Sequence, residues 1–271
     1  MRARTNLLKA RVLAAPLRVL PRVALALLLA ALALPALAEV RVATSGAFTA
    51  AYHVLKPDLE RALGQQLVTV TTSVGAGEES IPRRLERGEA IDVVIVADTM
   101  LEQLIAAKLV LADSRVDLVR STIGIAVRAG AQKPDISTVA ALRNALLAAK
   151  SIAYSGSVSG TYVSTELFQK LGIADQVAAK SQKIERERVG AVVARGDAEI
   201  GFQQMSELMP IAGIEVVGPL PAEVQKASVF SAGVIANSRN AQAARTLLQA
   251  LASPDAAPAI ALTGLEPLHT H

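Results

Sequence analysis

Asp92-Val93-Val94-Ile95-Val96-Ala97-Asp98 decides the fold. Its apolar run is unbroken between two carboxylates, without the alternation of a strand that keeps one face wet. Such a run is expected as a strand buried on both faces, inside a parallel sheet. Working outward, residues 40–43 and 67–70 are earlier strands, the second rich in β-branched residues. Each strand precedes a helical pattern. In 48–63 the apolar positions Ala51, Val54, Leu55, Leu59 and Leu63 recur at helical spacing, and Pro57 should kink or split that helix. The second helix runs through Ile81 and Leu85, with Pro82 in its first turn and Gly88 as its stop. The third spans 99–107, capped by Thr99 or Asp98. Three successive strand–helix units imply a parallel sheet with right-handed crossovers.

The same grammar resumes after a charged turn at 113–120. Strands are expected at 122–127, 152–154, 200–202 and 214–217. Helices are expected at 139–149 (N-capped by Ser137), 161–171 (closed by Gly172), 173–179 and 188–194. A strand at 227–236 can return the chain, and 241–251 forms a last helix. No low-complexity linker or internal repeat interrupts the pattern. The expected architecture is α/β, two lobes each built on a mostly parallel sheet flanked by helices. Lobe I takes 39–121 and 227–271, lobe II 122–226, because no single flexible boundary separates them.

Residues 1–38 are read apart. Six basic residues precede an apolar run at 23–34, Pro35 breaks it, and Ala36-Leu37-Ala38 offers a small-x-small cleavage site before Glu39. These are the parts of a cleavable secretory signal, and the run is short for a membrane span. The expected location is the periplasm. Of 28 basic residues the leader holds six and no acid, leaving 22 against 24 acidic residues, net −2. Nothing basic then remains for nucleic acid. The absence of cysteine excludes disulfides. Three scattered histidines, His53, His269 and His271, argue against a zinc site, and no metal or cofactor is expected. Trp is absent and aromatics make up 3% of residues, so sugar-stacking platforms are poorly supplied. A monomer is expected.

Chemistry concentrates after the strands. Ile200-Gly201-Phe202-Gln203-Gln204-Met205-Ser206 ends an apolar strand in two amides and a hydroxyl. Strand ends are where open α/β sheets hold small ligands. Loop 71–80 offers hydroxyls, glycines and a helix start, including Ser73, Gly77 and Glu78; loop 155–161 repeats the design with Ser157, Ser159, Gly160 and Thr161. Helix starts favour anions. Thr44 and Ser45 stand after the first strand. Arg83 and Arg84 could fork a carboxylate, or pair with neighbouring glutamates on a solvated helix face; Arg188, in the mixed-charge run Glu185-Arg186-Glu187-Arg188 that otherwise reads as a solvated turn, is a further ligand-binding candidate. Glu78 would repel a bound anion unless protonated or shared with such a cation. No Ser–His–Asp set, phosphate-loop lysine or dinucleotide glycine pattern occurs.

The leader, the 44–47 turn, Gly88-Glu-Ala-Ile-Asp-Val-Val-Ile-Val-Ala-Asp98 and Glu166-Leu-Phe-Gln-Lys-Leu-Gly172 together resemble the bacterial periplasmic solute-binding proteins of the molybdate-binding kind, with the type II two-lobed fold. The resemblance implies a ligand trapped between lobes and delivered to an ABC-type permease. Two hydroxyl positions that hold the oxyanion in that family fall at Ala47 and Glu78, and its tyrosine falls at Gln204. Fewer hydroxyls and an added carboxylate suggest an organic anion in place of molybdate. The fold also resembles a periplasmic aconitate isomerase. Two functions follow: a non-catalytic carrier of a small carboxylate, the favoured reading, or an isomerase with Glu78 as base and Tyr154 or Tyr162 as acid.

Overall fold

The computed structural model describes residues 39–72 and 77–268; the expected leader, Ser73, His269 and His271 lie outside the described residues. The strands are β1 Glu39–Thr44, β2 Gln66–Val70, β3 Val93–Ala97, β4 Val116–Ser121, β5 Ile123–Arg128, β6 Ile152–Ser155, β7 Ser181–Ile184, β8 Ile200–Gln204, β9 Ile214–Pro219, β10 Ser228–Val234 and β11 Leu265–Pro267. One sheet has the order β11-β4-β10-β3-β1-β2 and the other β7-β6-β8-β5-β9. Both are flanked by helices, giving the expected two-lobed α/β fold.

All five residues of β3 are buried, as its unbroken apolar run requires. Each buried Val or Ile side chain contributes about 1.5–3 kcal/mol. β1 lies parallel to β2 and β3, and β6 parallel to β7 and β8. The sheets are nevertheless mixed, not mostly parallel. β10 runs antiparallel between β3 and β4, and β5 antiparallel between β8 and β9.

β4 corrects the expected charged turn at 113–120. Its charges hid the strand, but each has a partner: Asp117 accepts from Arg115 at 2.9 Å and from Ser231 at 2.6 Å, and Arg120 pairs with Glu266 at 3.0 Å. The helix Gly46–Leu63 is a second correction, since it runs unbroken through Pro57. Pro57 lies on the exposed face, while Phe48, Ala51, Tyr52, Leu55 and Leu59 are buried. That packing outweighs the roughly 3 kcal/mol an interior proline costs. Val54, expected on the apolar face, is 56% exposed. The helix Val139–Ala148 is capped by Thr138, which accepts from Ala141 N, and not by Ser137, whose N–H goes to Asp135.

The chain crosses between sheets at 121–123 and again at 219–228. Gln225 clips the crossings together: its amide oxygen accepts from Ile123 N at 3.0 Å and its NH2 donates to Ile123 O at 2.9 Å. Ser121 donates to Gln204 Oε1 at 2.8 Å, and Gln204 Nε2 reaches Ser228 Oγ at 3.5 Å.

Gly160 sets another close approach. A Cβ there would stand 1.6 Å from the Ser155 carbonyl oxygen at the end of β6. Gly160→Ala should therefore destabilise the protein by about 3 kcal/mol, by forcing the helix start off the strand. Urea unfolding should show a lower midpoint; an unchanged midpoint would refute the constraint.

Candidate functional site

Three strand ends and their following helices carry the polar residues of the candidate site. β1 ends at Thr44, buried, with its hydroxyl on Ser45 O at 3.1 Å. Ser45 caps the 18-residue helix Gly46–Leu63 in an extended conformation without a side-chain cap bond, and its hydroxyl is sealed without a partner among the described residues. Ala47 is a core residue in the first turn. After β6, the Ser155 hydroxyl lies 2.8 Å from that of Ser157 and 3.0 Å from that of Ser159, with Ser155 and Ser159 fully buried. Ser157 caps the helix Val158–Tyr162, which continues through a π-helical turn, Val163–Leu167. Thr161 stands exposed beside this cluster, its hydroxyl on Ser157 O at 3.1 Å.

Gln203 and Gln204, buried at the end of β8, frame the centre. Gln203 Oε1 accepts from Val189 N at 2.9 Å, fixing the start of the helix Val189–Arg195. Gln203 Nε2 donates to Glu207 Oε1 at 3.0 Å. Gln204 is occupied with the crossings. The amide chemistry expected at a ligand thus holds the scaffold instead.

The sequence reading ends its polar stretch at Ser206 and so misses Glu207, one residue further on, in the short helix Met205–Leu208. This helix packs against Gly46–Leu63 of the other lobe. The Glu207 carboxyl sits so near Gly46 that a Cβ added there would lie 2.0 Å from Oε1. A glutamate three residues beyond a polar strand end was the available signal. Glu207 Oε2 has no hydrogen-bond partner among the described residues. Burial pushes the carboxyl up from 4.5 to about 7, against the opposing charge of Arg188 and the bond from Gln203. Arg188, half-buried at the cap of Val189–Arg195, makes no ion pair and no side-chain hydrogen bond among the described residues. A carboxyl able to exchange a proton near neutrality thus shares its surroundings with an unengaged guanidinium.

Other expected residues lie elsewhere. The Glu78 side chain is 82% exposed, 3.6 Å from Arg87, and Gly77 sits on the same exposed turn. Arg83 pairs outward with Glu86 at 2.9 Å, and Arg84 is held by Glu79 and Glu89. None of this group is brought to the polar centre, so Glu78 lacks the shielding a base requires. Tyr162 donates its hydroxyl to Val224 O at 2.6 Å, and Tyr154 packs edge-on against Phe168. The Tyr162 hydroxyl is thus already engaged, whereas the Tyr154 hydroxyl makes no hydrogen bond among the described residues.

The Glu207 shift has a consequence for stability. The unfolded chain releases this proton at the ordinary value, so between about 4.5 and about 7 it binds fewer protons than the folded chain. Stability therefore falls as pH rises through that window, by roughly 3 kcal/mol in full. Glu207→Gln should match the parent at about pH 4 and exceed it at about pH 8 in thermal unfolding. Parallel pH curves for the two proteins would contradict the burial argument.

Residues 40–266 match the family described as bacterial extracellular solute-binding protein. A Pseudomonas sp. protein described as aconitate isomerase is 44% identical over 254 residues, covering 92% of this chain and 97% of that protein. Among solved structures, the Azotobacter vinelandii periplasmic molybdate-binding protein superposes with a TM-score of 0.65 at 20% identity, over 86% of this chain and all of the other. The tungstate-binding protein TupA of Desulfovibrio alaskensis G20 gives 0.59 at 17%, over 86% and 100%. These structural likenesses are likenesses of fold. The chain belongs to the bacterial extracellular solute-binding proteins.

Proposed function

We propose that the chain is a periplasmic isomerase of a small unsaturated tricarboxylate of the aconitate type. The observation that carries this reading is the 44% identity to a protein described as aconitate isomerase, spread over 97% of that protein's length. The site agrees with it. Arg188 is a cation without a carboxylate partner among the described residues, and a guanidinium forks a planar carboxylate well. The serine hydroxyls at 155, 157 and 159 add donors at a second strand end. Ala47 offers no side-chain donor to a compact oxyanion.

A second reading, uptake of an organic anion through an ABC-type permease, is favoured by the fold. Its neighbours include molybdate-, tungstate- and thiamin-binding proteins. In both readings the ligand lies between lobes and the chain acts as an exported monomer without cofactor.

Incubation of the purified protein with cis- or trans-aconitate, followed by proton NMR, should show each isomer converting to the other. Stabilisation by aconitate without conversion would restore the carrier reading; stabilisation by molybdate alone would sink both. Arg188→Gln should weaken aconitate binding about 10- to 100-fold, the loss expected for a charge-assisted hydrogen bond. Calorimetry on the variant measures this, and an unchanged affinity would remove Arg188 from the site.

A further inference from the structure

We propose that Glu207, and not Glu78, is the group that takes a proton from the substrate's methylene carbon and returns it to the far end of the allyl system. The assignment rests on the isomerase reading. In the step, the Glu207 carboxylate forms an O–H bond as one methylene C–H bond breaks. The released electron pair spreads over the three-carbon allyl unit into its carboxylates. The same carboxyl then gives its proton to the opposite terminal carbon, and the double bond moves by one position. Atoms and charge balance, and no co-reactant enters.

Geometry supplies the first argument. Glu207 stands where the two lobes meet, its Oε1 held by Gln203 and its Oε2 without a partner among the described residues. Two further polar atoms near it, the hydroxyls of Ser45 beside Gly46 and of Ser206, are sealed and also lack partners there. Two sealed hydroxyls without partners, one adjacent in the chain to Gly46 and one to Glu207, are costly in a folded core unless something else binds there.

Electrostatics supplies the second. Arg188 is the charged side chain that acts on Glu207. The first turn of Gly46–Leu63 has no acid, and β8 presents only the Gln203 amide. On β5 and β9, Arg128 and Glu215 lie at the strand ends remote from Gln204, and Glu215 is paired with Lys133 at 3.1 Å. On Val189–Arg195, Arg195 is held by Glu187. A base with one oriented oxygen, one open oxygen and ionisation near neutrality meets the requirements of proton transfer at carbon.

The test follows aconitate in deuterated water by NMR, with wild type, Glu207→Gln, Glu207→Asp and the exposed control Glu78→Gln. Wild type and Glu78→Gln should interconvert the isomers and wash deuterium into the methylene. Glu207→Gln should lose at least about 100-fold in kcat while aconitate still raises its Tm. Glu207→Asp, which keeps the charge but withdraws it, should fall between them. The wild-type kcat should rise with pH through about 7 and then level, because the base must be ionised. An active wild type with Glu207→Gln within threefold of it would overturn this assignment alone. An inert wild type would overturn the isomerase reading, and the assignment with it.

Discussion

The contact of Glu207 with Gly46 is the constraint on which the centre of the molecule depends. It joins a short helix of one lobe to the first turn of a long helix in the other. Glycine on the receiving side leaves room for the carboxyl, because a Cβ at Gly46 would lie 2.0 Å from Glu207 Oε1 and displace that side chain. Two more glycines complete the socket: a Cβ at Gly124 would strike Met205 Sδ at 2.2 Å, and one at Gly264 would strike Met209 Sδ at 2.5 Å. The segment from Met205 to Met209 therefore seats against bare backbone on three sides. Gln203 extends the constraint, since one amide holds Glu207 and also the start of the Arg188 helix.

The two glutamates near this helix show which electrostatic effect wins where. Glu187 lies on the surface, meets Arg195 at 2.7 Å, and is held below the usual carboxylate range. Glu207 has Arg188 near it but not at ion-pair distance, and it is buried. There desolvation dominates and the carboxyl rises. The difference is one of distance and solvent, not residue type. Had Arg188 closed on Glu207 as a bidentate pair, the acid would be a weak base and the guanidinium would be unavailable to a ligand.

Much of the fold was legible because it rests on local pattern. The Val93–Ala97 run, the 3.6-residue spacing of 46–63 and the apolar stripe of Ala241–Leu251 each identify an element without reference to distant residues. β4 was hidden because its Asp117 and Arg120 are satisfied by Ser231 and Glu266, more than 100 positions away. The direction of β5 and β10 in their sheets is likewise set by pairing across the crossings. The candidate site was legible at its strand ends, where Ser155, Ser157, Ser159, Gln203 and Gln204 stand in the fold. It was illegible in its details, because the same amides that a ligand could use are the ones that tie β8 to Val189, Ser121 and Ser228. Hydrogen-bond capacity is visible in a sequence, but whether it is already satisfied depends on contacts that only the fold makes.

The placement of Glu207 also bears on which anions the centre can accept. A compact tetrahedral dianion needs neutral donors converging on one point, and its charge cannot be moved away from a neighbouring carboxylate. At the start of Gly46–Leu63 that neighbour is Glu207, and the repulsion between like charges in a site of low polarity amounts to several kcal/mol. An extended polycarboxylate distributes its charge over several ångströms. In the proposed isomerase reading, one carboxylate would sit on Arg188 and a second at the serine cluster at another strand end, leaving the apolar carbon between them to face Glu207. The same carboxyl that repels a compact oxyanion would then meet a carbon–hydrogen bond in the longer ligand. On that reading, selectivity and proton transfer would arise from a single buried acid.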